Sequence, residues 1–234
     1  MKQHITFMEL HMENVKIEQI IRSKRKTIAL EVTDRATLIV KVPYLVSNKT
    51  IDEIIQRHIR WIRKRISNVK NAEKFSEKEF VSGESFLYLG RTYRLFLVKE
   101  QKEALKFDNG FYLSSNQKPF ARNIFIFWYK NAARNFILDR VNYYSNLTGI
   151  EYNNVKITSA RKRWGSCSRE GNLSFTYRLI MAPISVIDYV VVHELCHIQV
   201  HNHSKAFWEK VRVIIPEYKK QKEWLKENGY LLNL

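Results

Sequence analysis

From Ser47 onward, apolar residues return at helical spacing: Ile51, Ile54, Ile55, Ile59, Ile62, Ile66 and Val69, with Arg57, Arg60, Lys64 and Arg65 on the remaining faces. That period predicts an amphipathic helix over 47–70. A longer helical pattern runs from Pro119 to about Leu147 and carries Phe120, Ile124, Phe127, Trp128, Phe136, Ile137, Val141 and Tyr144, with Gly149 to end it. Ile184 to Val192 is apolar on nearly every side, as in a buried helix, and Pro183 and Ser185 mark its start. Asp188, three residues after Ser185, is a weaker relative of the capping box. Two further helices follow, Ser204 to Val213 with Phe207, Trp208 and Val211 as packing face, and Pro216 to about Glu227 closed by Gly229.

Between the helices the period drops towards two. Val15 to Ile21, Thr27 to Val32 and Thr37 to Val42 read as strands, and their short connections, one of them Asp34-Arg35-Ala36, suggest a meander. Ser85 to Leu89, Thr92 to Val98, Ala104 to Phe107 and Phe111 to Leu113 form a second run, turned at Gly90-Arg91 and at Asp108-Asn109-Gly110. Short strands at Val155 to Ile157 and within Trp164 to Phe175 flank a turn at Glu170-Gly171-Asn172. The polar stretch 71–84 is a candidate linker. The pattern divides the chain into a β-rich region, 1–115, holding the helix 47–70, and a second region, 116–234, carrying the chemistry.

That chemistry sits in His193-Glu194-Leu195-Cys196-His197. Side chains four apart share a helix face, so His193 and His197 can hold one metal ion. Glu194 stands one position off the pair, where its carboxylate can serve as general base without ligating. Two imidazoles and a carboxylate on a buried helix are costly unless something satisfies them, and a metal does. The bland reading is a pair of hydrogen-bonded core histidines.

A third ligand has two histidine candidates. His201 continues the spacing but lies about 12 Å of rise beyond His193, too far along a straight helix to converge. His203 follows Asn202, which tolerates a left-handed turn, and precedes Ser204, a good cap for a new helix. A reversal there would swing His203 back over the pair, so His203 is the expected ligand and Glu209 the reserve. Val200 occupies the place of the metzincin turn glycine, which argues against that group. Cys196, turned about 100° from His197, reads as a small buried hydrophobe.

Charge and cysteines bear on setting and partners. Lys and Arg outnumber Asp and Glu by 40 to 23, giving +17, so a nucleic acid or nucleotide could be held by the basic surface; the bland alternative is solubility. The basic connection Arg22 to Lys26 and the helix 47–70 carry the same two readings. Two cysteines make no disulfide framework, Met1 to Val15 holds no leader pattern, and no apolar segment reaches membrane length. A cytoplasmic protein is expected.

Arg163-Trp164-Gly165-Ser166-Cys167-Ser168, Gly171-Asn172-Leu173-Ser174-Phe175, Tyr177-Arg178-Leu179, the His-Glu-Leu-Cys-His helix and Asn202-His203-Ser204 with Phe207-Trp208 resemble the YgjP-like metallopeptidases. These are similar in turn to SprT-like and WLM zinc proteases. Tyr88-Leu89-Gly90-Arg91 extends the likeness over almost the whole chain. The resemblance implies an α+β fold with a zincin-like minimal core: a helix, a small sheet, the metal-binding helix and C-terminal helices. It also implies zinc on His193, His197 and His203 with Glu194 as base. Cys196 departs from the usual alanine but is small enough to leave the site intact.

Three functions stay open on this reading: a zinc peptidase taking a substrate chain along an edge strand, a metal-dependent hydrolase of nucleotide phosphoanhydrides, and a nucleic-acid-associated protein with a structural zinc. Three protein ligands leave one metal position open, which weighs against a purely structural site. A developing oxyanion also needs a donor, and Arg163, Tyr177 and Arg178 are the local candidates. Arg178 is preferred for its fixed fork of donors, against a structural role pinning the loop to a carboxylate such as Asp188.

Overall fold

The computed structural model describes residues 15–33, 35–76 and 78–234, with side chains throughout except at 71–76. Residues 1–14, where no leader is expected, and Asp34 of the expected turn lie outside the described residues. The chain forms two compact units, one ending at Ser76 and one occupying the rest of the chain to Leu234.

In the first unit, β1 (Ile17–Ser23), β2 (Ala29–Val32) and β3 (Leu38–Pro43) form a sheet in the order β1-β3-β2. β3 runs parallel to β1 and antiparallel to β2, so the expected meander is not formed. Leu38, Val40 and Val42 alternate along β3 and are fully buried, which puts this strand at the centre with both edges paired. Arg22 donates to the carbonyls of Tyr44 and Val46 and to Asn48 Oδ1, so the first cation of the basic connection ties the sheet to the next helix. The Ser47 hydroxyl caps that helix by accepting from Thr50 N at 3.1 Å. The helix expected over 47–70 is two: α1 (Asn48–Arg57) breaks at His58, and α2 (Ile59–Ser76) runs on into the expected linker. Ile51, Ile55, Ile62 and Ile66 stay on one buried face across the break and pack with the β3 residues.

The second unit opens with β4 (Ser85–Tyr88), β5 (Arg91–Val98), β6 (Leu105–Phe107) and β7 (Phe111–Ser114), in the order β4-β5-β7-β6. Leu89 and Gly90 have φ of 49° and 77°, the two left-handed positions of a tight hairpin. Their amides donate to the carbonyls of Ile180 and Met181, and a Cβ on Gly90 would lie 2.7 Å from Pro183 Cα. The hairpin tip thus holds the chain where the motif helix begins. The sequence pattern groups these strands with the N-terminal region; their packing places them in the second unit, with Phe86 and Phe111 stacked or tilted against Phe125 at 4.3 and 5.1 Å.

Phe125 belongs to α3 (Ala121–Thr148), which ends at Gly149 with φ 67°. Its buried face is Ala121, Phe125, Tyr129, Ala133, Ile137, Val141 and Tyr144. Phe120 and Phe127, expected on that face, are 62% and 66% exposed, because the sheet and the motif helix meet the stripe through Phe125 and Tyr129 instead. β8 (Asn154–Thr158), β9 (Gly165–Cys167) and β10 (Asn172–Thr176) form a second sheet ordered β8-β10-β9, with β10 parallel to β8 and antiparallel to β9. A 3-10 turn, Tyr177–Met181, leads into α4 (Ile184–Gln199), followed by α5 (Lys205–Ile214) and α6 (Tyr218–Asn228). The order helix, small sheet, motif helix, C-terminal helices is the one expected, in a mixed α+β unit. No helix among the described residues is long and apolar enough to cross a membrane.

Candidate metal centre

α4 carries the motif because Val186, Ile187, Val190, Val191 and Leu195 bury three sides of the helix, leaving one face for polar work. Pro183 stands at its start without a side-chain cap, so the expected Ser185–Asp188 capping does not form. Asp188 instead accepts a bidentate pair from Arg140 of α3, at 2.5 and 2.9 Å, and fixes the rotation of α4 against α3.

The helix stops at Gln199, and Val200 takes extended backbone, φ −136° and ψ 98°. Asn202 does not use a left-handed conformation; its Oδ1 accepts from Ser204 N at 3.1 Å, and Ser204 caps α5. The reversal brings His203 back over the helix. The Nε2 atoms of His193, His197 and His203 lie 3.1–3.2 Å from one another. Ligand nitrogens on one tetrahedral ion at ~2.0–2.1 Å are about 3.3 Å apart, so the three donors already have the spacing of a shared metal. His201 is exposed and outside the cluster, and Glu209 is paired with Arg212 at 2.6 Å.

The protonation pattern supports the same fit. A bond of 3.0 Å to the Val200 carbonyl, which can only accept, places the His197 proton on Nδ1 and leaves Nε2 its lone pair. Burial and the two neighbouring imidazoles drive His193 down to about 3, so it is neutral and able to ligate. The facing lone pairs of His193 and His197 repel unless a cation sits between them, and a divalent metal would satisfy both together with His203.

α5 supplies the walls. Phe207 stacks on His197 at 4.4 Å and meets His193 edge-on at 4.9 Å. Trp208 stacks on His203 at 5.5 Å and is itself stacked by Tyr218 of α6 at 5.2 Å, with Lys222 over its ring. These contacts fix the imidazole planes.

Glu194 is only 6% exposed. Its carboxylate lies against Gly165 of β9: a Cβ there would come within 2.6 Å of Glu194 Cγ and Oε1. The glycine makes room that no other residue could leave. Burial pushes the Glu194 carboxyl up to about 8, and the Arg163 guanidinium pulls it back. A carboxyl held near neutral pH exchanges protons readily in either direction.

A family model described as YgjP-like, metallopeptidase domain, matches residues 26–228. The chain belongs to that family. Membership implies a metal ion and a peptidase-type hydrolase, in agreement with the histidine cluster. No curated protein matches. Solved structures that resemble the chain include the metallopeptidase zymogens abylysin of Pyrococcus abyssi and jannalysin of Methanocaldococcus jannaschii. Abylysin is 18% identical, with 42% of this chain and 96% of its own covered and a TM-score of 0.37. Jannalysin is 21% identical over 40% of this chain and 96% of its own, also at 0.37.

For this YgjP-like chain the structure separates the three oxyanion-donor candidates. β10 ends at Thr176, so Tyr177 and Arg178 lie in the 3-10 turn, and both are buried. Arg178 donates to the Ser159 carbonyl at 3.1 Å and to Asn233 Oδ1 at 3.3 Å, with its guanidinium over the Tyr177 ring. Its partners are structural, and Asp188, its expected carboxylate, is taken by Arg140. Arg163, two residues before β9 begins, is the candidate whose charge reaches Glu194.

Sequence reasoning missed Gly165 as the seat of Glu194 and Tyr189 as a neighbour of the cluster. The Tyr189 ring is 5.8 Å from His193 and burial raises its hydroxyl to about 12, so it stays a neutral donor. Its position four residues before His193 was a legible signal on the same helix face.

Proposed function

We propose that the chain is a zinc-dependent peptidase with Glu194 as general base. The observation that carries this reading is the convergence of three histidine Nε2 atoms, 3.1–3.2 Å apart, beside a buried carboxylate seated on Gly165. Three nitrogen donors suit zinc and leave it an open position. Bound there, zinc supplies Lewis acidity and a water acidified to near neutral pH. The protein's own part is then specific. His193, His197 and His203 hold the ion, Glu194 accepts a proton and returns it to the leaving amine, and buried surroundings keep that carboxylate near neutral in affinity. Arg163 is the donor proposed to share the charge that develops on the scissile oxygen.

β9 is an edge strand in the β8-β10-β9 order and runs past Glu194 through Gly165. A substrate chain added along that edge would be held by backbone hydrogen bonds, giving tolerance of sequence. The test is a panel of unfolded protein, peptides and nucleotides, offered to zinc-loaded wild type and to Glu194→Gln. Cleavage of protein or peptide that disappears in Glu194→Gln supports the reading. Turnover of nucleotides alone would replace it with phosphoanhydride hydrolysis, and turnover of nothing would favour a nucleic-acid-associated protein whose zinc is structural.

A further inference from the structure

The β8-β10-β9 sheet has a second face that the peptidase reading does not use. Gly165 pairs with Phe175, and both turn towards the core and Glu194. Side chains alternate along a strand, so Ser174 and Ser166 point the other way. The register sets Lys156 of β8, Ser174 of β10 and Ser166 of β9 in one row across the three strands, with Thr158 and Thr176 in the next. The loop 159–164 flanks this face, and these residues with Arg163 line an open concavity of about 270 Å³. Two bonds to β10 clamp the loop: Thr176 N to the Trp164 carbonyl at 3.0 Å, and Thr176 Oγ1 to the Ala160 carbonyl at 2.8 Å. Trp164 is wedged at its far end against Gly229, where a Cβ would lie 2.7 Å from the ring. The cavity is therefore built before any ligand arrives.

We propose that this cavity binds a phosphate group. Its lining contains two cations, Lys156 and Arg163, and no acidic side chain. Neither cation has an ion-pair partner among the described residues. The hydroxyls of Thr158 and Thr176 are spent on the carbonyls of Phe175 and Ala160, whereas those of Ser166 and Ser174 have no hydrogen-bond partner among the described residues. Two cations and two hydroxyl donors on one concave surface match the charge of about −1.5 to −2 and the three acceptor oxygens of a phosphate monoester at neutral pH. A carboxylate would leave one cation uncompensated and half the donors idle. The cavity shares Arg163 and Gly165 with the candidate active site, but Lys156 and Ser174 have no part in the peptidase reading, so a binding test through them can fail or succeed whatever the turnover result.

The phosphate could belong to a small phosphate ester or to a polynucleotide backbone, and calorimetric titration of the full chain separates them. Inorganic phosphate, a mononucleotide and a short single-stranded oligonucleotide are titrated at low ionic strength. The variants are Lys156→Glu, Ser174→Ala and, as a charge-matched control outside the cavity, Lys219→Glu. One phosphate should bind per chain, at least tenfold more weakly in Lys156→Glu and about threefold more weakly in Ser174→Ala, with Lys219→Glu within twofold of wild type and melting temperatures unchanged. An oligonucleotide that displaces phosphate and depends on Lys156 assigns the site to a nucleic-acid backbone; phosphate and mononucleotide binding without it assigns a small ester. The proposal is overturned if no titrant binds saturably, or if Lys219→Glu weakens binding as much as Lys156→Glu does. Should Lys156→Glu fail to fold, an unchanged affinity in Ser174→Ala overturns it equally.

Discussion

Gly165→Ala tests the seat of the general base. Gly165 has no positive φ, so alanine meets no backbone strain, and the perturbation is one methyl group. That methyl would lie 2.6 Å from Glu194 Cγ and Oε1 and 2.8 Å from Cδ, where ordinary contact begins at 3.4 Å. Recovering the difference moves the carboxylate, or β9, by 3.4 − 2.6 = 0.8 Å. Glu194 is buried on a helix packed on three sides, so it cannot swing into solvent without losing its position. A misplacement of about 1 Å in a reacting group costs on the order of 10²-fold in rate, or about 2.7 kcal/mol. Overpacking itself costs about 1–3 kcal/mol of stability. The expected result is a kcat lower by about 10²-fold on a peptide substrate, with one zinc per chain retained and a melting curve that still shows a folded protein. Full turnover in a folded, zinc-loaded Gly165→Ala would refute the placement of the base.

Arg178→Lys should lower the melting temperature, because lysine cannot reach both Ser159 and Asn233, and hydrogen bonds to charged groups are worth about 1.5–3 kcal/mol; a large turnover loss at unchanged stability would return Arg178 to catalysis. Asp188→Asn removes a partly buried bidentate pair with Arg140 and should cost roughly 2 kcal/mol in chemical denaturation while leaving zinc content intact. For the metal-free protein, His193 is held at about 3 in the folded state against 6.5 unfolded, so the unfolded chain binds the extra proton between those values. Stability from this group is complete above pH 6.5 and is lost as pH falls towards 3, by about 2 kcal/mol at pH 5. Metal-free His193→Asn should show a flatter decline over that range than wild type, and identical slopes would contradict it.

What was legible in the sequence follows the range of the interaction. His203 could be placed because Ser204 caps the next helix and Asn202 turns the chain before it, all within a few residues, although the turn is an Asn side-chain bond and not a left-handed backbone. The helix ends at Ser47 and Gly149 were legible for the same local reason. The parallel pairing of β1 with β3 was not, because three short strands with short connections look alike whichever pair meets. Phe125 and Phe127 both fit a helical stripe, and only the sheet packed on α3 selects Phe125. Gly165 looked like one residue of a motif; its purpose depends on an α4 side chain 29 positions later, 194 − 165. Arg178 finds Asn233 across 55 residues, a partner no local pattern announces.

Three histidines are proposed to hold a metal whose chemistry Glu194 completes. The most direct measurement is zinc content and peptide turnover on the same preparations of wild type, His203→Ala and Glu194→Gln. Wild type should carry one zinc per chain and turn over peptide; His203→Ala should lose both; Glu194→Gln should keep its zinc while turnover falls by roughly 10²- to 10⁴-fold, the usual contribution of a general base. Zinc lost equally from Glu194→Gln, or retained in full by His203→Ala, would contradict the account.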